Sequence, residues 1–197
     1  MVEGPSAAGK TSWVSRFDTR IAIPETGRVE PPPALSPEGR ADFWVDKNCP
    51  RWAAAIEVER VYGAAICDTD PLKLHYDYSL ARAGAGSWEQ FELSQARCRD
   101  AMERRHLGIA DIVLVSLPDD TTLERHWRSD TTRSRRNFEL HRRLTPAIRD
   151  WYDALAHLDA SRVMWSFPAA LPDMVTRPCF DLRLFDAWMR SLPREPL

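Results

Sequence analysis

The sequence predicts an α/β protein in which a parallel sheet is covered by helices on both faces. Short apolar runs typical of buried strands alternate with longer segments of helical periodicity, and polar clusters follow several of these runs. In addition, the motif G-x-x-x-x-G-K-[ST] occupies residues 4–11, at the point where a first strand would lead into a helix. We expect a three-layer sandwich in one domain spanning residues 1–197.

The predicted elements follow one another along the chain. Apolar runs predict strands at residues 20–23, 64–67, 109–117 and 162–167. Helical periodicity predicts helices at residues 11–17, 50–62, 88–106, 121–158 and 182–192, the fourth of them interrupted near residues 129–132 and again at Pro146. Only three residues precede Gly4, fewer than the roughly five of a usual strand. We therefore expect either a stunted first strand or a native start upstream of Met1.

Residues 4–11 match the phosphate-binding loop at every fixed position. Glycines in such a loop let backbone N–H groups turn towards a polyphosphate, and the positive end of the next helix faces the anion. We expect Lys10 to reach the β- and γ-phosphates and the Thr11 hydroxyl to ligate Mg²⁺. The expected nucleotide-binding residues are Gly4, Pro5, Ser6, Ala7, Ala8, Gly9, Lys10, Thr11 and Ser12.

Composition limits the partners of this chain. Its 197 residues are 44% hydrophobic and 28% charged, with a formal net charge of −2, so no global field attracts nucleic acid or an anionic membrane. No apolar run approaches the roughly 18 residues of a membrane span, and no signal peptide is visible. The four cysteines are widely spaced, which favours reduced cytoplasmic thiols over disulfides or zinc.

Glu25 follows the apolar run of residues 20–23 and is expected to face the same crevice as the phosphate loop. A carboxylate there could accept the proton of a substrate hydroxyl that attacks a γ-phosphate. Arg28, three residues further on, could hold a polar or anionic part of that substrate. The alternative is a solvated glutamate in a turn.

Asp68 and Asp70 follow the apolar run of residues 64–67. Asp68 lies nearest the strand end, and we expect it to hold Mg²⁺ together with Thr11. Asp70 is a candidate for substrate binding, with helix capping before Pro71 as the alternative. Lys73 could line the acceptor pocket or belong to a polar helix surface.

Residues 124–143 are dense in arginine, and three interpretations compete. A solvated basic helix face is the plainest, and RNA binding is disfavoured because few aromatic residues are interleaved. We favour a lid of about residues 121–143, hinged near 129–132, that closes over a triphosphate. Arg128 and Arg133 are the expected catalytic arginines.

With these residues in place, the chain resembles the small P-loop kinases of the nucleoside and nucleotide kinase group. Residues 3–11 are similar to the Glu-Gly start of their phosphate loop, and Pro24-Glu25 lies where deoxynucleoside kinases place their base. Residues 23–28 also resemble nicotinamide riboside kinase-like ATPases. Cys67-Asp68-Thr69-Asp70 falls where the family has an acidic motif after its third strand, and residues 117–143 resemble its strand and lid.

The resemblance covers about residues 1–155 and implies MgATP-dependent phosphorylation of a small molecule, for which a nucleoside-like compound is one candidate. The Glu-Pro and Glu-Arg-Ser strings of deoxynucleoside kinases are missing from the sequence, which argues against a deoxynucleoside. The Asn-Lys-x-Asp string of guanine readers is also missing, which favours ATP. The expected partners are therefore ATP and a small acceptor, without nucleic acid or membrane, and a homodimer is left open. The competing hypothesis is a regulatory ATPase that acts through a protein partner.

Overall fold

A computed structural model describes residues 1–25, 30–129, 138–173 and 175–197. The strands of this part of the chain are β1 (Val2–Glu3), β2 (Ala22–Ile23), β3 (Ile66–Cys67), β4 (Val113–Val115) and β5 (Val163–Met164). All pairings are parallel: β1, β4 and β5 are adjacent, β2 pairs with β3, and a bridge from Val2 to Asp68 joins the two groups. The strand order is therefore β2-β3-β1-β4-β5.

Helices connect these strands. They are α1 (Lys10–Val14), α2 (Pro37–Tyr62), α3 (Leu74–Arg82), α4 (Trp88–Glu103), α5 (Asp120–Ser129), α6 (Phe138–Arg143), α7 (Thr145–Leu158) and α8 (Leu182–Ser191). None of the helices in the described ranges combines the length and the apolar character needed to cross a bilayer. The parallel strand pairings and the helices that connect them confirm the α/β class with a parallel sheet.

Both faces of the sheet are buried. Val113 and Val115 of β4 belong to the larger apolar cluster, which also holds Trp151 and Trp188, whereas Leu114 belongs to a smaller cluster around Trp13. Neighbouring residues of a strand point to opposite faces, so β4 is covered on both sides.

Helix α2 differs most from expectation. The sequence predicts a helix from residue 50, but α2 begins at Pro37, where the Ser36 side chain accepts a hydrogen bond from the Gly39 N–H. Pro50 lies inside the helix. A proline removes one backbone hydrogen bond, and the helix continues here because Ala41, Asn48 and Trp52 are buried before and after it.

Two further differences concern helix boundaries. Helix α3 was expected only as an alternative, with a cap at Asp70 before Pro71, but it begins at Leu74 with Lys73 as its N-cap. Pro146 was expected to interrupt a helix, but it lies in the first turn of α7, where the missing N–H costs no hydrogen bond.

The strand order creates a crevice at the carboxyl edge of the sheet, the end at which the parallel strands finish. The chain leaves β1 towards β2 on one side and leaves β4 towards β5 on the other, so a gap opens between these two neighbours. The loop after β1 occupies this place. Gly4 approaches β4 so closely that a Cβ would lie 2.2 Å from the Ser116 carbonyl oxygen.

Candidate active site

The loop between β1 and α1 has the backbone that its glycines predict. Gly4 has φ 146° and Gly9 has φ 88°, and Ala7 also adopts a left-handed conformation with φ 71°. Gly9 is the N-cap of α1, and no side chain caps that helix. The first N–H groups of α1 are therefore open to an anion at the mouth of the loop.

The Lys10 ammonium lies within this loop. Its Nζ donates to the carbonyl oxygen of Gly4 at 2.6 Å and to that of Pro5 at 3.2 Å. Burial lowers the pKa of Lys10, although Glu3, Glu25 and Asp68 each act to raise it. A partly buried ammonium among carbonyl dipoles would gain much from a bound phosphate.

Thr11 and Asp68 meet as the sequence predicted. Thr11 Oγ1 donates to Asp68 Oδ2 at 2.8 Å, which joins the start of α1 to the end of β3. Asp68 is buried, and its Oδ1 has no hydrogen-bond partner among the described residues. A buried carboxylate oxygen without a partner is costly unless a ligand satisfies it.

These two side chains fit Mg²⁺. In the described part of the chain, no group of three or more histidine, cysteine, aspartate or glutamate side chains could hold a metal alone. Mg²⁺ commonly takes only one or two protein ligands and completes its shell with phosphate oxygens and water. The Thr11 hydroxyl and the Asp68 carboxylate meet that requirement.

Glu3 is a buried hub beneath the loop. Its Oε2 accepts from the Gly4 N–H at 3.0 Å, and its Oε1 accepts from the Asp70 N–H at 2.6 Å. His75 Nε2 lies 3.6 Å from the same Oε1. Burial acts to raise the pKa of Glu3, but His75, Lys10 and Lys73 together with the Asp70 N–H leave it lowered.

Asp70 is buried beside this hub. Its Oδ1 accepts from the Leu72 N–H at 2.9 Å, so it stabilises a turn rather than capping α3, which begins at Leu74. Its Oδ2 has no partner among the residues described. Burial and the charge of Glu3 raise the pKa of Asp70 to about 7.

Glu25 and Lys73 form an ion pair at the ends of β2 and β3. Lys73 Nζ donates to Glu25 Oε1 at 2.5 Å, and the side chains are 24% and 44% exposed for Lys73 and Glu25. Burial acts to raise the pKa of Glu25, but Lys73 and Lys10 leave it lowered. The two predicted substrate residues are thus brought together, in a place that solvent reaches.

Arg51 is a structural residue that the sequence reasoning missed. From α2 it donates to the carbonyl oxygens of Pro24 at 2.9 Å and Asp68 at 2.8 Å, and to Asn48 Oδ1 at 2.8 Å. It fixes the strand ends that carry Glu25 and Asp68. A charged residue directly before Trp52 was the available signal.

Helix α5 contacts the phosphate loop directly. His126 Nδ1 lies 3.0 Å from the Ala7 carbonyl oxygen, and Leu123 and Phe138 pack against Ala7. The rings of Trp127 and Phe138 stack with centroids 4.9 Å apart, which ties α5 to α6. Arg128 is exposed and pairs with Glu124 on the outer surface.

Some of the remaining predicted site residues lie outside the described part of the chain, and others lie in the phosphate loop. Arg28 and Arg133 lie outside the described residues, as does most of the expected hinge at 129–132. Pro5, Ala8 and Ser12 lie in the loop or in the first turn of α1, where they were expected.

Comparisons with protein-family models, with curated proteins and with solved structures found no match to this chain. The function therefore has to be argued from the site itself.

Proposed function

We propose that this protein is a phosphotransferase that moves the γ-phosphate of MgATP to a hydroxyl, or a phosphate, of a small molecule. The observation that carries the proposal is the joint placement of Lys10 and Thr11. At the junction of the loop and α1, the Lys10 ammonium donates to the Gly4 carbonyl oxygen and the Thr11 hydroxyl donates to the buried Asp68 carboxylate. We infer a P-loop kinase fold with an arginine-rich lid, similar to the nucleoside and nucleotide kinase group.

Each part of the site has a separate task in this proposal. The N–H groups of the loop and of α1 bind the phosphates, and Lys10 leaves the Gly4 carbonyl to contact the β- and γ-phosphates. Thr11 and Asp68 hold Mg²⁺, and the metal supplies neutralisation of phosphate charge. Glu3 holds the loop from below by accepting from the Gly4 N–H.

The transfer itself is a displacement at the γ-phosphorus. The acceptor oxygen forms a bond to phosphorus while the bond to the β–γ bridging oxygen breaks, and ADP leaves with that electron pair. Glu25 takes the proton of the acceptor hydroxyl. Arg128 and Arg133 of the lid stabilise the charge that develops on the transferred group, which requires Arg128 to exchange Glu124 for the phosphate.

The reaction has a suitable setting in the cytoplasm, where ATP is abundant. All four cysteines are free thiols, and two of them, Cys67 and Cys98, are buried. That state fits a reducing compartment.

The test is a screen of ATP consumption across nucleosides, nucleotides and hydroxylated antibiotics, with Glu25→Gln as the mechanistic variant. Stimulation of ADP formation by one compound class, lost in Glu25→Gln, is the expected result. ATP hydrolysis that no compound changes and that Glu25→Gln leaves intact would favour the regulatory ATPase instead.

A further inference from the structure

The proposed base is tied to a cation in this structure. Glu25 Oε1 accepts a hydrogen bond from Lys73 Nζ, and that contact favours the ionised, weakly basic carboxylate. A base held in this way removes a proton poorly. Both side chains are partly exposed, so a ligand can reach the pair and compete for either partner.

Lys73 is placed where a lysine is locally unfavourable. It is the N-cap of α3 and has a left-handed backbone with φ 57°, which a residue with a Cβ adopts at a cost. It also puts a positive charge at the positive end of a helix. Such local costs are typical of positions kept for function.

The other described cations at the carboxyl edge are already committed. Lys10 lies inside the phosphate loop, and the Arg51 guanidinium is occupied by backbone carbonyls and Asn48. No side chain caps α3, and in its first turn the buried His75 Nδ1 has no partner among the described residues. Lys73 and the N-terminus of α3 therefore form a positively charged site beside Glu25, the proposed base.

We propose that the acceptor is an anionic hydroxyl compound whose carboxylate or phosphate group binds Lys73 and frees Glu25 to act as the base. This inference rests on the proposed function and adds the class of acceptor to it. In the free protein the ion pair keeps the base inactive. When the acceptor anion takes the ammonium, Glu25 loses its partner and becomes more basic beside the hydroxyl that it deprotonates.

Binding of the acceptor changes no covalent bond. The acceptor anion replaces the Glu25 carboxylate at the Lys73 ammonium. The acceptor hydroxyl then gives its proton to Glu25 as its oxygen bonds to the γ-phosphorus, and ADP departs. The anion at Lys73 orients the hydroxyl, so its contribution is greatest for compounds that carry both groups.

The experiment compares matched pairs of acceptors that differ by one charged group. Glycerol is paired with glycerate, and nucleosides are paired with their 5′-monophosphates, so that carboxylate and phosphate sources are tested separately. ADP formation is measured for the wild type and for Lys73→Met. Lys47→Met serves as the control, because Lys47 is an exposed lysine on α2 outside the site.

The expected result is a kcat/KM at least about tenfold higher for the charged member of a pair, lost in Lys73→Met mainly through KM. With neutral acceptors, Lys73→Met also moves the acid limb of the kcat/KM profile to higher pH, because Glu25 loses its cation. A neutral member that serves as well as its charged partner in the wild type overturns this inference and leaves the proposed function standing. MgATP binding with no stimulation by any member of either series overturns both.

Discussion

The two edges of the sheet have opposite chemistry. At the carboxyl edge, Glu3, Asp68, Asp70 and His75 are buried, and three of them carry side-chain atoms without hydrogen-bond partners in the described structure. At the amino edge, a cavity of about 120 Å³ is lined mostly by apolar residues such as Trp52, Ala55 and Ile109.

This difference shows that the groups that cost folding stability lie at the carboxyl edge. Buried ionisable groups with unsatisfied atoms reduce stability, whereas apolar walls do not. Groups of this kind cluster where ligands bind. We therefore place the proposed site at the carboxyl edge, although a cavity lies at the opposite edge, where Glu59 and Asp111 are the only acids among the cavity-lining residues.

The largest effect is expected from Lys10→Met. If Lys10 contacts the β- and γ-phosphates as proposed, removing its ammonium should lower kcat/KM for MgATP by about 10²-fold or more. Steady-state kinetics measure the loss, and Lys47→Met should retain wild-type rates. Equal rates for the two methionine variants would contradict the role of Lys10.

The next effect concerns backbone packing at the two edges. Gly4→Ala puts a Cβ 2.2 Å from the Ser116 carbonyl at a φ of 146°, and should lower the free energy of unfolding by about 3 kcal/mol or more. Gly63→Ala, at the end of α2 with no atom within 4 Å of its Cβ, should cost about 1 kcal/mol. Urea denaturation compares them, and equal costs would show that the loop does not press against β4.

A pH-dependent effect should come from Asp70. Its pKa is raised from 3.8 to about 7 by burial and by Glu3, so between these values the folded protein keeps a proton that the unfolded chain has lost. The contribution of Asp70 to stability is therefore complete at low pH and falls as pH rises through this window, by about 1.4 kcal/mol per pH unit at most. Asp70→Asn should be more stable than the wild type at pH 8 and similar to it near pH 4.

Denaturation curves at several pH values test this expectation. Asp46→Asn, an exposed aspartate on α2, is the control and should follow the wild type throughout. A constant difference between Asp70→Asn and the wild type from pH 4 to pH 8 would mean that Asp70 is not the group that titrates.

The smallest effect is expected at the amino edge. Burial and Asp111 raise the pKa of Glu59, but the side chain is only half-buried. Glu59→Gln should change the free energy of unfolding at neutral pH by less than about 0.5 kcal/mol. A change as large as that of Asp70→Asn would remove the contrast between the two edges.

The sequence was most informative where local geometry determines the chemistry. Residues 4–11 predicted a glycine-dependent loop between the first strand and a helix, and the positive φ of Gly4 and Gly9 fits that expectation, because such a backbone needs specific residue types. The Thr11–Asp68 contact also followed from the sequence, since parallel strands end at one edge.

The rest depends on tertiary contacts that leave little trace in a local pattern. Glu25 and Lys73 lie 48 positions apart in the sequence. They meet because β2 and β3, which precede them, are neighbours in the sheet. The start of α2 at Pro37 depends on the Ser36 cap and on burial along the helix, which outweigh the prolines nearby. Arg51 was missed because its partners are backbone carbonyls rather than a motif.

Calorimetric titration of the folded protein with MgATP tests the central claim most directly. The account predicts saturable binding at one site, which requires Mg²⁺ and disappears in Lys10→Met while remaining in Lys47→Met. A well-folded protein that releases no saturable heat with MgATP or with magnesium and guanosine triphosphate would contradict it.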